Sequence, residues 1–149
     1  MKYRGARASI DGLAGSLAAL VVDRPSGASD HARPDVVTWA PTTPLRRRQR
    51  GFDQAELLAR SLGRHLHLPV RGLLGRRPGP HQTGRAALDR RSGPRFDALH
   101  SLSGVVLVVD DVCTTGATLS TAATALRSAG ARDVRGAVMA RTPRFGVDR

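Results

Sequence analysis

Residues Val105 to Thr118 read VVLVVDDVCTTGAT, and this stretch constrains the fold more than any other. Val105 to Val109 is an apolar run with no alternation, which suits a central parallel strand covered on both faces. Two aspartates follow at once, then a Thr/Gly loop from Thr114 to Thr118, then a helical pattern. A carboxylate at the end of a buried strand is costly without a partner, so two adjacent acids there ask for one. The loop can cradle phosphate oxygens with backbone N–H groups and hydroxyls, helped by the positive end of the next helix dipole. Together these parts make a place to hold a sugar and its phosphate, with the carboxylates set to meet ribose hydroxyls or a metal. An ordinary Rossmann-like strand–loop–helix with capping threonines explains the loop but not the acid pair.

The flanking patterns place this stretch in an α/β domain. Leu119, Ala122, Ala123 and Leu126 form the core face of the following helix, Gly130 is its stop, and Val134 to Ala140 alternates as the next strand. Strand, helix and strand at this spacing are a βαβ unit. Upstream, Ile10, Leu13, Ala14, Leu17 and Val21 fall on one helical face, and Asp23 to Pro34 reads as a loop. Asp35 to Ala40 is a short strand ended by Pro41 and Pro44, and Leu45 to Gly51 is a basic loop. Phe52, Ala55, Leu58, Ala59 and Leu62 mark a second amphipathic helix with Asp53 as N-cap. Val70 to Leu74 is a weaker strand, and Arg76 to Arg95 is an irregular segment of the kind that forms a functional loop or linker.

The length of 149 residues favours one domain, read as an N-terminal helix and linker over 1–34 and a core over 35–149. Aromatics are only 3%, so the core rests on Val, Leu and Ala. Cys113 is the sole cysteine, which rules out an internal disulfide and a cysteine-rich zinc site and points to the cytoplasm. No apolar run approaches the roughly 20 residues of a membrane span, and the N-terminus has no secretory pattern. The net charge of +12 points to an anionic partner, either a phosphorylated small molecule or nucleic acid. A base-composition bias toward arginine codons is the plainer source of the excess.

The acid pair followed by T-T-G-x-T resembles the phosphoribosyl-diphosphate (PRPP) motif of type I phosphoribosyltransferases. The resemblance extends upstream. Ala40–Pro41, Arg48 and the run Arg50–Gly51–Phe52–Asp53–Gln54–Ala55–Glu56–Leu57–Leu58–Ala59 look like the R-x-R-G-F-N-Q-A-x-x-L-A signature of the ComF family. His81–Gln82–Thr83 with Arg90 or Arg91 is similar to that family's Q-T…R loop, and Lys2–Tyr3–Arg4–Gly5 to its K-Y-x-G element. The resemblance implies a type I phosphoribosyltransferase fold, a Rossmann-like and mostly parallel sheet flanked by helices, with a flexible loop. ComF proteins are linked to competence and DNA uptake and are described as amidophosphoribosyltransferase-like. Members usually begin with a zinc ribbon, which this chain is expected to lack, so no zinc is expected. Asp53 stands where Asn is usual, and Ser92–Gly93–Pro94 replaces the usual Asn after the loop arginine.

By the same resemblance, Asp110 and Asp111 accept hydrogen bonds from the ribose 2′- and 3′-hydroxyls, directly or through Mg²⁺. Thr114, Thr115, Gly116, Ala117 and Thr118 wrap the 5′-phosphate. The turn from Pro41 to Arg48 faces the pyrophosphate, and Arg46, Arg47, Arg48 and Arg50 neutralise that leaving group, with Arg48 grouped with the two acids as catalytic. Gln82 and Arg90 belong to the covering loop. The planar fork of arginine suits phosphate, and transfer at the anomeric carbon passes through an oxocarbenium-like state with departure of pyrophosphate.

Each assignment has a plainer counterpart. The Arg46–Arg50 run is otherwise a solvated basic loop, Gln82 and Arg90 a disordered one, Asp53 a helix cap and Cys113 a small buried residue. The His65/His67 pair, at i and i+2, reads as surface. Purine-salvage members carry an acid three places after the second acid; here that position is Thr114, so no general base is named and the acceptor stays open. A phosphoribosyltransferase and a PRPP-sensing or DNA-contacting accessory protein both fit, and a homodimer is compatible with either. The scarcity of aromatics weakens any base-stacking role.

Overall fold

The computed structural model describes residues 4–22, 33–78, 93–113 and 115–141. Its centre is β4 (Val105–Cys113), where Val105 to Val109 are all at most 1% exposed. Each such side chain contributes roughly 1.5–3 kcal/mol through burial, which is why the apolar run takes the middle of the sheet. β1 (Val36–Trp39) pairs in parallel on one side, with Val37 opposite Leu107, and β5 (Asp133–Arg141) pairs in parallel on the other, with Ala137 opposite Val109. The order is β1-β4-β5. Beyond β1, Val37 makes a single parallel bridge to Val70.

Helices cover both faces. α1 (Arg4–Val22) and α3 (Gln54–Leu66) pack on one face, where Ile10, Ala14 and Ala18 meet Leu58, Leu62, Leu107 and Val109. α4 (Ala117–Ser128) covers the other, placing Ala122 and Leu126 against Val106 and Val108. A two-stranded antiparallel hairpin, β2 (Leu74–Arg76) with β3 (Phe96–Ala98), joins that second core through Leu74 and Phe96. The hairpin stem closes on the long segment between its strands, with Arg77 N donating to Arg95 O at 2.9 Å.

Four expectations are corrected. Leu45 to Gly51 is not a loop: α2 (Pro44–Arg50) is a helix capped by Thr43, whose hydroxyl accepts from Arg46 N at 3.3 Å, and ended by Gly51 in the left-handed region at φ 77. Thr at N-cap, Pro at the first helical position and Gly after the last is a helix frame that the run of charges hid. The strand expected over Val70 to Leu74 is reduced to the Val70 bridge and a later start at Leu74, because the chain turns there to build the hairpin. Leu13 is 42% exposed; the buried stripe of α1 is Ile10, Ala14 and Ala18, a spacing of four that leaves Leu13 to one side. β4 does not stop before the acids but continues through them to Cys113, which stands opposite Arg141 of β5.

Candidate functional site

The chain leaves β1 and β4 in opposite directions. From β1 it passes through α2 and α3 to Val70 outside β1; from β4 it passes through α4 to β5 on the far side. Between the carboxyl ends of two such strands an α/β sheet opens a crevice, the usual place for a ligand. Pairing of β1 with β4 ends where Ala40 N donates to Val109 O at 2.9 Å, and β4 runs on alone on that side. A cleft of ≈ 410 Å³ lies there, and Asp53, Asp110 and Asp111 share its lining with Arg46, Arg50 and Arg76.

Strand alternation divides the acid pair. Leu107 and Val109 face α1 and α3, while Val106 and Val108 face α4, so Asp110 continues the α4 side and Asp111 the α3 side. Asp111 Oδ2 lies 4.0 Å from Arg50 Nη1, and Arg50 also donates to Gln54 Oε1 at 2.8 Å. Asp110 is 7% exposed, and its Oδ1 accepts from Asp111 N at 2.9 Å. Burial pushes the Asp110 carboxyl up to about 6; the charges of Asp111 and Asp53 push the same way, against the hydrogen bond from Asp111 N. Such a buried carboxyl is costly to ionise without a partner.

On the far side of the acid pair the Thr/Gly loop leads into α4. Gly116 is its N-cap in the left-handed region at φ 81, and among the described residues beyond its chain neighbours no atom lies within 4 Å of where a side chain would begin. Thr115 Oγ1 accepts from Ala117 N at 3.3 Å, and Thr118 lines the cleft. Gly93, at φ 69, packs onto Ala117 so closely that an added Cβ would lie 2.9 Å from Ala117 Cβ. The return of the long segment is thereby seated on this loop. Thr114, Gln82 and Arg90 lie outside the described residues.

The opposite wall is held by polar ties. Asp53 is 4% exposed and caps α3 through Ala55 N at 3.0 Å, while its other oxygen accepts from Thr42 N at 2.8 Å, pinning the turn after β1. Asp53 is thus a cap and a clamp. Of the four α2 arginines, Arg46 and Arg50 reach the cleft. Arg47 turns to Glu56 at 3.7 Å, and Arg48 is exposed on α2 outside the cleft lining. Arg76, which sequence reasoning left inside a long irregular segment, ends β2 and enters the cleft; the apolar pair Leu73 and Leu74 before it and Phe96 after it were the available signal of a hairpin stem. Cys113 is only half-buried at the end of β4, His65 lies 3.4 Å from Asp11 of α1, and His67 caps α3 in the left-handed region. Among the described residues no cluster of three or more His, Cys, Asp or Glu could hold a metal by itself, and no helix is long and apolar enough to cross a membrane.

A parallel α/β sheet with an acid pair and a helix N-terminus at its switch point defines a nucleotide- or sugar-phosphate-type binding domain. The chain belongs to the phosphoribosyltransferase family: the phosphoribosyl transferase domain profile matches residues 51–146. Solved structures agree on the fold. Glutamine PRPP amidotransferase from B. subtilis, solved with ADP and GMP, superposes with a TM-score of 0.57 at 21% identity over 89% of this chain and 26% of that one. A hypothetical protein from Neisseria gonorrhoeae with bound ppGpp gives 0.55 at 13% identity over 94% and 71%. A purine phosphoribosyltransferase from Pyrococcus horikoshii gives 0.50 at 21% identity over 93% and 75%. The chain spans about a quarter of the length of the amidotransferase. No curated protein matches the sequence.

Proposed function

We propose that this chain binds PRPP in the cleft between β1 and β4 and is a ComF-type phosphoribosyltransferase domain. The observation that carries the reading is the meeting, in one cleft, of the Asp110–Asp111 pair, Thr118 from the first turn of α4, and Arg46 and Arg50. In this reading Asp110 and Asp111 receive the ribose hydroxyls. Thr115 to Thr118 receive the 5′-phosphate, as does Thr114. The turn at Pro41 to Thr43 with Arg46 and Arg50 receives the diphosphate. Arg47 and Arg48 stand outside the cleft lining, so their service to the leaving group requires movement of α2.

The donor set fits Mg²⁺ as a substrate-borne ion. Two carboxylates supply hard oxygen ligands, and Asp110 is a buried acid that a cation would relieve, whereas an all-protein cage would need more ligands. When bound, Mg²⁺ neutralises charge on the departing diphosphate. The chain's own share is to orient the ribose through the acids and to hold the diphosphate beside Arg46 and Arg50, so that the anomeric C–O bond breaks towards a stabilised leaving group.

A second reading rests on the arginines outside the cleft. Arg47 and Arg48 project from an exposed helix on a chain of net charge +12, which suits phosphate-only contact with nucleic acid by an accessory protein of DNA uptake that keeps the PRPP site without turnover. PRPP with Mg²⁺ is expected to raise the melting temperature, and Asp111→Asn to abolish the rise; no rise in the unaltered chain overturns both readings. Pyrophosphate release in an acceptor screen then favours turnover, and salt-sensitive DNA retention without release favours the accessory role.

A further inference from the structure

Arg76 is the cleft cation whose surroundings demand most explanation. It closes the three-residue strand β2, next to a long polar segment, where an arginine would ordinarily point to water. Instead its side chain is half-buried in the cleft. Nη1 donates to the carbonyl of Pro41 at 3.2 Å, in the turn that follows β1. The guanidinium carbon sits 5.8 Å over the Phe96 ring of β3, and that ring is itself 8% exposed. Burial lowers the Arg76 pKa, the charge of Arg46 acts in the same direction, and the charges of Asp110 and Asp53 oppose both.

This placement is costly for a residue that serves only the hairpin. Burial and the like charge of Arg46 both disfavour the Arg76 cation, and the carboxylates of Asp110 and Asp53 offset them only in part. Arg46 enters from α2 and Arg76 from β2, both beside the Pro41 turn. Asp53, Asp110 and Asp111 share the cleft with Arg46, Arg50 and Arg76, but Asp53 is already engaged by Thr42 N and Ala55 N, and in the PRPP reading the two acids of β4 serve the sugar, which leaves the arginines to an incoming anion. A planar fork fixed at one nitrogen by Pro41 and on one face by Phe96 is preorganised to offer its other N–H groups to an acceptor with several oxygens.

We propose that Arg76 is a diphosphate-contacting residue of the cleft, paired with Arg46 across the bound group and held ready by Pro41 and Phe96. This rests on the PRPP reading above and adds to it a residue from β2 and the hairpin stem. It also gives the stem a function: the arginine that grips the diphosphate lies at the root of the segment that returns to the phosphate loop at Gly93.

The test uses the full chain, titrated calorimetrically with PRPP, inorganic pyrophosphate and ribose 5-phosphate at fixed Mg²⁺. Arg76→Gln keeps a donor for the Pro41 carbonyl but removes the charge. It is expected to weaken PRPP and pyrophosphate by about tenfold or more, the scale of one charge-assisted contact, while ribose 5-phosphate changes less than about twofold. Arg76→Lys, which keeps the cation but not the planar fork, is expected to recover part of the pyrophosphate affinity. Pyrophosphate affinity unchanged in Arg76→Gln, equal losses for pyrophosphate and ribose 5-phosphate, or identical behaviour of the Gln and Lys variants each overturns this inference and leaves the PRPP site standing. Absence of PRPP binding by the unaltered chain overturns the site itself.

Discussion

The two walls of the cleft are built in opposite ways. The β4 wall comes from one continuous stretch, with Asp110 and Asp111 in the strand and Thr115 to Thr118 at the helix entry. The facing wall is assembled from the turn after β1, from α2, from the start of α3 and from β2. Its parts are held by ties between segments: Asp53 to Thr42 N and Ala55 N, and Arg76 to the Pro41 carbonyl. The covalent chain positions the first wall, so its weak point is the charge it buries. Side-chain ties position the second, so its weak point is the loss of a tie.

The largest expected effect is on the acid wall. Asp110 is raised from its ordinary 3.8 to about 6, so the folded chain holds that proton more tightly than the unfolded one. The associated stability is complete below pH 3.8 and is lost as pH rises through about 6. Unfolding free energy measured with urea should therefore fall across pH 4 to 6 by up to about 3 kcal/mol from this group, and Asp110→Asn should remove that fall. Ligand binding should run the other way. A carboxylate that receives hydroxyls or a cation must be ionised, so PRPP affinity with Mg²⁺ should rise through the same pH range. A flat stability profile in this window would mean that the acid wall carries no buried charge penalty.

The walls also differ in how far the sequence exposes them. The β4 wall is legible because its chemistry and its geometry occupy the same consecutive residues: an apolar run, two acids and a Thr/Gly loop can be read without knowing any tertiary contact. The facing wall is not. Arg46 to Arg50 look alike in sequence, and only the helical turn of α2 directs Arg46 and Arg50 to the cleft and Arg47 to Glu56. The helix itself was readable from Thr43, Pro44 and Gly51, but four charges in seven residues suggest a loop. Arg76 reads as part of an irregular segment because β2 is three residues long and its partner β3 begins twenty residues later. The second role of Asp53 is hidden because Thr42 is eleven residues away and nothing local marks the contact.

Cutting a tie should have the next largest effect. Asp53→Ala removes the cap of α3 and leaves Thr42 N without its acceptor. Each loss costs about 1 kcal/mol, together about 2, read as a fall of roughly 4–8 °C in melting temperature for a chain of this size. Asp53→Asn keeps one oxygen for the cap but turns an amide donor toward Thr42 N, and is expected to lose about half as much. If alanine and asparagine behave alike, the contact with Thr42 carries the energy and the cap does not.

The smallest effect on stability should come from Arg50, the residue that spans the two walls. Its side chain is 51% exposed and reaches Asp111 only at 4.0 Å, so the pair lies in the range of surface ion pairs that contribute little. Arg50→Gln should shift the unfolding free energy by less than about 0.5 kcal/mol. Its effect on PRPP should be larger, because a ligand of several negative charges loses a cation at the mouth of the cleft. The loss should shrink as salt is added, since the arginine is exposed and screened. Equilibrium titrations of PRPP at low and high salt, beside urea unfolding of the same variant, separate the two quantities. A fall in both by similar amounts would make Arg50 a strut joining α2 to β4. A fall in affinity alone places it with the ligand, and the acid wall then stands without help from the basic one.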